Sequence, residues 1–299
     1  MAHDDILDQI AVPLLRRAPF RHVIHRTFPR PFFASFHRLK ASRLALDAST
    51  YVLSFDLDHR ADVAAIPDVL RTLRRYEMHA SFACVGRWVE LFPREHAQIV
   101  ADGHEIVNHS YSHPDHPELS PHRSFRSLSP AERRGEIEQC HATCARILRY
   151  EPVGFRTPHF GRAFTDDTYE MLRDLGYQYS SSTVDVYQSG CGIPSRHGDV
   201  MEIPLGCSSR FPFYTFDSWS ARRAPHSLFG SDGAFLKEFE RTIIAFAKHR
   251  SFLSHYFDPA DVVGAVLDGF CAAICDSGIV TMTYRTFLDQ YRSRLWTRP

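Results

Sequence analysis

The 299-residue sequence has no charge excess. Lys plus Arg and Asp plus Glu are 35 each, so the formal net charge is zero. Such a balance gives no overall pull toward nucleic acid or an anionic surface, and no nucleic-acid partner is expected. There is no acidic tail and no long run of like charge. No stretch of about 18 consecutive apolar residues occurs, so no transmembrane segment is expected. The opening, MAHDDILDQIAVPLLRRAPF, puts acids where a signal peptide needs a basic stretch, which gives the expectation of a cytoplasmic chain. Zinc-finger pairing is missing too. The seven cysteines include no Cys-x-x-Cys, and Cys140/Cys144 and Cys271/Cys275 fall four apart in stretches that read as helices. Small buried core residues and free thiols are the expectation, which suits a reducing compartment. No repeat or low-complexity segment appears.

Apolar and aromatic residues are plentiful, at 44% and 13%. That is enough for one large α/β barrel or two small domains. Residues 1–47 stand apart. A short amphipathic segment from Ile6 to Leu15 precedes a basic, Phe-rich run, RTFPRPFFASFHRLK, with prolines at 13, 19, 29 and 31 breaking it up. We read it as an N-terminal arm packed on or beside the main domain. A partner-binding or membrane-surface segment is the alternative, because Arg and Phe interleave there.

From residue 48 onward, short β-branched or aromatic runs alternate with longer amphipathic stretches. Strands are expected at 51–55, 80–85, 105–108, 153–155, within 177–186, at 251–254 and at 279–282. Helices are expected at 62–76, 86–101, 129–149 (Ser129 as N-cap, Pro130 in the first turn), 165–175, 232–248 and 259–276, with one more at the C-terminus. A long irregular stretch runs to about residue 230. The alternation implies parallel pairing with right-handed crossovers. The fold class is therefore α/β, and six or seven such units over residues 48–299 fit a barrel related to the (β/α) type.

Barrels of this kind carry function at the C-terminal ends of strands. Chemically capable residues fall there repeatedly: Asp56 and Asp58 after YVLSF, His109 and His113 after EIVN, Arg156 after VGF, and His255 ending SFLS. Two aspartates two apart leaving a strand can both point into the mouth. Their repulsion is relieved if one binds a cation while the other serves as base. A helix N-cap cluster explains the same pair without catalysis. His109 and His113 have a spacing compatible with one metal, although 18 histidines make such a pair arise by chance. Arg156 is placed to grip a carboxylate, and the turn from Pro158 to Gly161 to present a backbone N–H to an oxyanion. His255 suits a proton donor to a leaving amine. For Arg156 the plainer reading is a surface turn, and for His255 a satisfied core histidine.

Taken in order, these stretches resemble the polysaccharide deacetylases of the NodB-homology group (carbohydrate esterase family 4) over roughly residues 50–290. SFDLD resembles the first motif, with Leu57 between the aspartates as in the Asp-x-Asp branch. His109-Ser110-Tyr111-Ser112-His113 matches the histidine motif, and Leu253-Ser254-His255 the last one. Arg156-Thr157-Pro158 matches the arginine motif, with His159 preceding the aromatic Phe160. Asp185 is the candidate for the weakly matched fourth motif. The resemblance implies a distorted (β/α) barrel of about seven strands, with a divalent metal, most often zinc, on Asp58, His109 and His113. It implies Asp56 as base held by Arg156, and His255 as acid oriented by Asp185. The activity implied is removal of an N-acetyl or other N-acyl group from an amino sugar, with a metal-activated water attacking the amide. The irregular stretch 187–230 is the expected substrate wall. Pro158, His159, Phe160, Phe216 and Trp219 are the substrate-binding candidates, although aromatics equally fill a core. Two alternatives stay open: hydrolysis of a non-sugar C–N bond (ureide, cyclic imide or formamide), and a catalytically silent glycan-binding relative. A homo-oligomer also stays open.

Overall fold

The computed structural model describes residues 18–161, 163–188, 192–224 and 227–296. Two helices open it, α1 (Ala18–Thr27) and α2 (Pro29–Leu44), ahead of the central strand β1 (Thr50–Leu57). From Ala18 to Leu44 the arm is thus helical, not a run broken by proline. Pro29 sits in the first turn of α2, where its missing N–H has no intrahelical partner to lose. The segment from Ile6 to Leu15 and Pro13 lie outside the described residues.

The barrel then follows the alternation expected. After β1 come α3 (Arg60–Arg75), β2 (Ser81–Cys84), α4 (Gly86–Leu91), α5 (Pro93–Ala101), β3 (Glu105–Asn108), α6 (Pro130–Leu148), β4 (Gly154–Phe155), α7 (Asp167–Asp174) and β5 (Tyr179–Ser180). Next are β6 (Ser195–His197), β7 (Val200–Glu202), α8 (Asp232–Phe246), β8 (Phe252–Phe257), α9 (Pro259–Val262), α10 (Ala265–Ser277), β9 (Val280–Thr281) and α11 (Tyr284–Trp296). Two expected helices are each split, at Phe92–Pro93 and at Val263–Gly264. Pro93 starts a helix rather than continuing one, and Gly264 takes φ +92°.

The sheet has nine strands, ordered β6-β7-β5-β4-β3-β2-β1-β8, with β9 also on β1. All pairings are parallel except β6–β7. About seven strands were expected, and the surplus is the β6–β7 hairpin inside the stretch read as irregular. Its turn uses Gly198 at φ +66°, and β7 pairs in parallel with β5. Between β7 and β8 no strand ladder forms. Residues 203–207 bridge the gap: the Leu205 amide donates to Thr183 O and the Gly206 amide to Ser254 O. This irregular seam is what distorts the barrel.

β1 is buried along its whole length. Tyr51, Leu53, Phe55 and Leu57 enter the core between sheet and helices, so the strand's period of two turns Ser54 and Asp56 into the barrel. No helix among the described residues is long and apolar enough to cross a membrane. Cys84, Cys140, Cys144, Cys207 and Cys271 are buried free thiols and Cys275 is exposed; Cys191 lies outside the described residues.

Candidate active site

Asp58, the residue directly after β1, meets two imidazoles from the loop that follows β3. Its Oδ1 lies 3.2 Å from His109 Nε2 and 3.3 Å from His113 Nε2. The histidine loop is held from behind. Ser110 N donates to Asn108 Oδ1 and His113 N to Ser110 Oγ, while Glu136 of α6 accepts from the Tyr111 and Ser112 amides and from Ser112 Oγ. Ser110, His113 and Asp115 adopt φ of +62°, +49° and +75°, a region non-glycine residues occupy only when the surroundings insist.

The chemistry of this trio calls for a cation. His109 Nδ1 sits 2.8 Å from the Arg156 carbonyl, which fixes its proton on Nδ1 and turns the Nε2 lone pair toward Asp58. Asp58 Oδ1 and both nitrogens of His113 are buried with no hydrogen-bond partner. Acceptors facing one another without a donor are costly, and one metal ion satisfies them together. The three donor atoms lie within 4.8 Å of one another, so the set can hold a metal. The alternative capping role belongs to another residue: Asp62, not Asp58, accepts from the His59 amide at the start of α3.

Asp56 points into the same mouth. Arg156 Nη1 donates to Asp56 Oδ1. The guanidinium is itself anchored by Ser54 Oγ at 3.0 Å, Tyr284 Oη at 3.0 Å and the Ser181 carbonyl at 3.2 Å. Burial raises the Asp56 carboxyl above its ordinary range, against the pull of Arg156 and His109. In the turn after β4, the Phe160 amide is taken by Thr157 O and the Gly161 amide by Ser182 O. Pro158 has no N–H. This leaves the His159 amide, at φ +52°, as the donor without a partner among the described residues.

Asp56, Asp58, His109, His113 and His159 line a cavity of roughly 510 Å³, whose wall also includes His59, His116, Phe160, Asp217, Trp219, Arg223, Tyr256 and Asp258. Three expectations need correction. His255 does not line it. Ser254 Oγ reaches Pro204 O and Tyr256 stacks under Arg156, so the strand alternation sends His255 to the other face. There its Nδ1 meets Tyr51 Oη at 3.1 Å and its ring packs on Phe216 and Phe239. Burial without a charged partner pushes it down to about 3. Asp185 does not orient it: Asp185 Oδ2 accepts from Lys40 Nζ of α2 at 3.2 Å, a fully buried pair. Phe216 and Pro158 are buried away from the cavity, Phe216 among Phe229, Phe235 and Phe239. His159, Phe160 and Trp219 do line it.

The residues missed from sequence are Tyr256 and Asp258, which alternate with His255, and Asp217, in the irregular stretch. Asp217 is pushed up to about 6, chiefly by burial. Burial and the neighbouring Asp58 and Asp62 raise Asp258 well above the carboxylate range. A flag was present for β8: once Ser254 faces inward, Tyr256 and Asp258 must follow.

The fold and site together define a (β/α)-barrel protein with a two-histidine, one-aspartate centre beside an arginine-held carboxylate. A family model for polysaccharide deacetylase matches residues 44–180. The chain is 27% identical over 116 residues to the peptidoglycan-N-acetylmuramic acid deacetylase of Bacillus subtilis, covering 39% of this chain and 23% of that protein. It is 28% identical over 146 residues to a chitooligosaccharide deacetylase of Azorhizobium caulinodans, covering 49% and 64%. The matched stretches thus span less than two thirds of these relatives. A solved structure of a candidate polysaccharide deacetylase from Mycobacterium smegmatis superposes with a TM-score of 0.68 at 16% identity, covering 84% of this chain and 94% of that one. Residues 44–180, a little under half of the chain, are thus similar to the polysaccharide deacetylase family, and the fold over most of the chain is that of a solved candidate member.

Proposed function

We propose that the protein is a metal-dependent N-deacetylase acting on an amino-sugar substrate. The observation that carries this reading is the set of orphaned buried atoms on Asp58 and His113 beside an Asp56 that Arg156 holds in place. Asp58, His109 and His113 would hold the ion, zinc being the first expectation for two imidazoles and a carboxylate. When bound, a divalent cation supplies Lewis acidity to the acyl carbonyl and acidifies water.

The chain's own groups do the rest. Asp56 takes the proton of the attacking water, its geometry set by the Arg156 grip. The His159 amide donates to the oxygen that gains charge as the carbonyl becomes tetrahedral. Asp217, in place of His255, returns a proton to the leaving amine; its carboxyl titrates at about 6, close to the range a working acid needs. Phe160 and Trp219 offer flat faces to a sugar ring.

The test is acetate release from a panel of N-acetylamino-sugar glycosides. It uses zinc-loaded protein, chelated protein and Asp56→Asn. Acetate that requires both metal and Asp56 supports the reading. Ammonia or formate from non-sugar amides, with no acetate, sinks it in favour of another C–N hydrolase. The place of His255 outside the mouth favours a second reading, a silent glycan-binding relative. Sugar binding with no turnover on any substrate would establish it.

A further inference from the structure

The corner of the molecule built by α1, the start of α2 and residues 210–219 has a character opposite to the balanced whole. From Ala18 to Leu46 there are five arginines, one lysine and no acidic residue. Lys40 is spent on Asp185, and Arg21 donates to Tyr187 Oη. Arg26 and Arg30 line a second cavity of about 400 Å³, closed from the other side by Arg210 and Phe211. No acidic residue lines it, and among the described residues no ion pair engages Arg30 or Arg210.

A second observation is independent of charge. On α1, Ile24 turns inward to Val186, Cys207 and Phe213, while Phe20 and Val23 (three apart, on one face) turn outward. Phe28 follows in the turn to α2. Phe20, Val23, Phe28, Tyr214 and Trp219 are between 41% and 53% exposed. His25 joins the two parts, its ring 5.3 Å from Phe211 and 6.2 Å from Tyr214. The same short segment therefore carries Arg210 and Phe211 in the basic cleft, Tyr214 in the open, and Thr215, Asp217 and Trp219 in the wall of the active-site cavity.

From these two observations we infer that this corner docks on an anionic lipid surface. Arg30 and Arg210, with no ion pair among the described residues, suit phosphate headgroups. An exposed apolar stripe beside them suits shallow insertion at the interface, and Tyr and Trp favour headgroup depth. Charge complementarity selects an anionic bilayer over an apolar partner. The docking surface works whatever reaction the mouth performs. It sets the mouth beside the lipid, where a membrane-borne glycoside would present its sugar.

The test is co-sedimentation of the full chain with phosphatidylcholine vesicles, alone or with a third phosphatidylglycerol. Binding to the anionic vesicles only, weakened by salt, is expected. Arg30→Glu with Arg210→Glu should lower partitioning by at least about tenfold. Phe20→Ser with Val23→Ser should remove the part that survives high salt. Circular dichroism checks the fold of each variant, and Arg30→Glu alone serves if the double variant fails to fold. No binding to anionic vesicles, or equal binding by the charge-reversed variant, would overturn the inference. So would inorganic phosphate filling the cleft by calorimetry while vesicles stay free, or a lipid-free dimer lost with the Phe20 change.

Discussion

The two walls of the mouth differ in how they are built. The wall from β1, β3 and β4 carries Asp56, Asp58, His109, His113 and Arg156 on strand ends or in the loops directly after them, and the hydrogen bonds that aim them run within a loop, to the next strand end or straight across the mouth. In the opposite wall, residues 205–223 form no strand ladder with β8, although β8 itself pairs with β1. This wall relies on distant contacts such as Ser218 Oγ with Asp258 and Lys40 with Asp185. Local geometry on the first wall made its chemistry visible as residue patterns. On the second, chemistry depends on which residues a long segment brings home.

The comparison breaks most severely if the first wall is not the reactive one. Asp56→Asn is expected to cut kcat about 10²–10⁴-fold with metal content unchanged. Asp58→Ala should lose the metal itself, as read by elemental analysis after dialysis. Retained activity in Asp56→Asn would reverse the roles of the two walls.

The next test concerns the support of the second wall. Lys40→Met leaves the Asp185 carboxyl buried without its partner, and a loss of about 3–5 kcal/mol in urea unfolding is expected. Lys40→Met with Asp185→Leu should recover most of it. If the single variant costs nothing, the arm is not part of the barrel's support.

Asp217 sharpens the contrast. In the folded chain its carboxyl keeps a proton to about pH 6, while an unfolded one releases it near the ordinary 3.8. Across that window the folded state holds more protons, so this group's contribution is present at low pH and lost as pH rises. The loss is at most about 3 kcal/mol. Asp217→Asn should flatten this slope in urea unfolding at pH values bracketing the window. It should also lower kcat about 10–100-fold and move the alkaline limb of the pH–rate profile. An unmoved limb would assign the proton to another group.

The smallest effect is expected at His255. Its place among Tyr51, Phe216 and Phe239 predicts that His255→Gln changes kcat/KM by less than about tenfold, while Tm falls as a packed ring is lost. A larger loss in kcat with unchanged Tm would return His255 to the chemistry.

Legibility in the sequence follows the same division. Seven strands, the Ser129 cap of α6 and the proximity of Asp58, His109 and His113, a group that could hold a metal, could be read because strand period, capping chemistry and strand-end position are local signals. The β6–β7 hairpin was missed because each strand has only three residues, too few for a period to show, although Gly198 marked its turn. His255 was misplaced because a motif names a residue without stating which face its strand presents; that depended on the register of β8 on β1. Asp185 was misassigned because its partner, Lys40, lies 145 residues earlier, beyond any local pattern.

The left-handed residues around the mouth carry a consequence for how this chain responds to selection. Ser110 and His159 hold a backbone shape that glycine adopts at no steric cost. A library screened only for heat resistance should enrich glycine at both positions, and those survivors should be poorer catalysts. Stability and chemistry compete there for the same two sites.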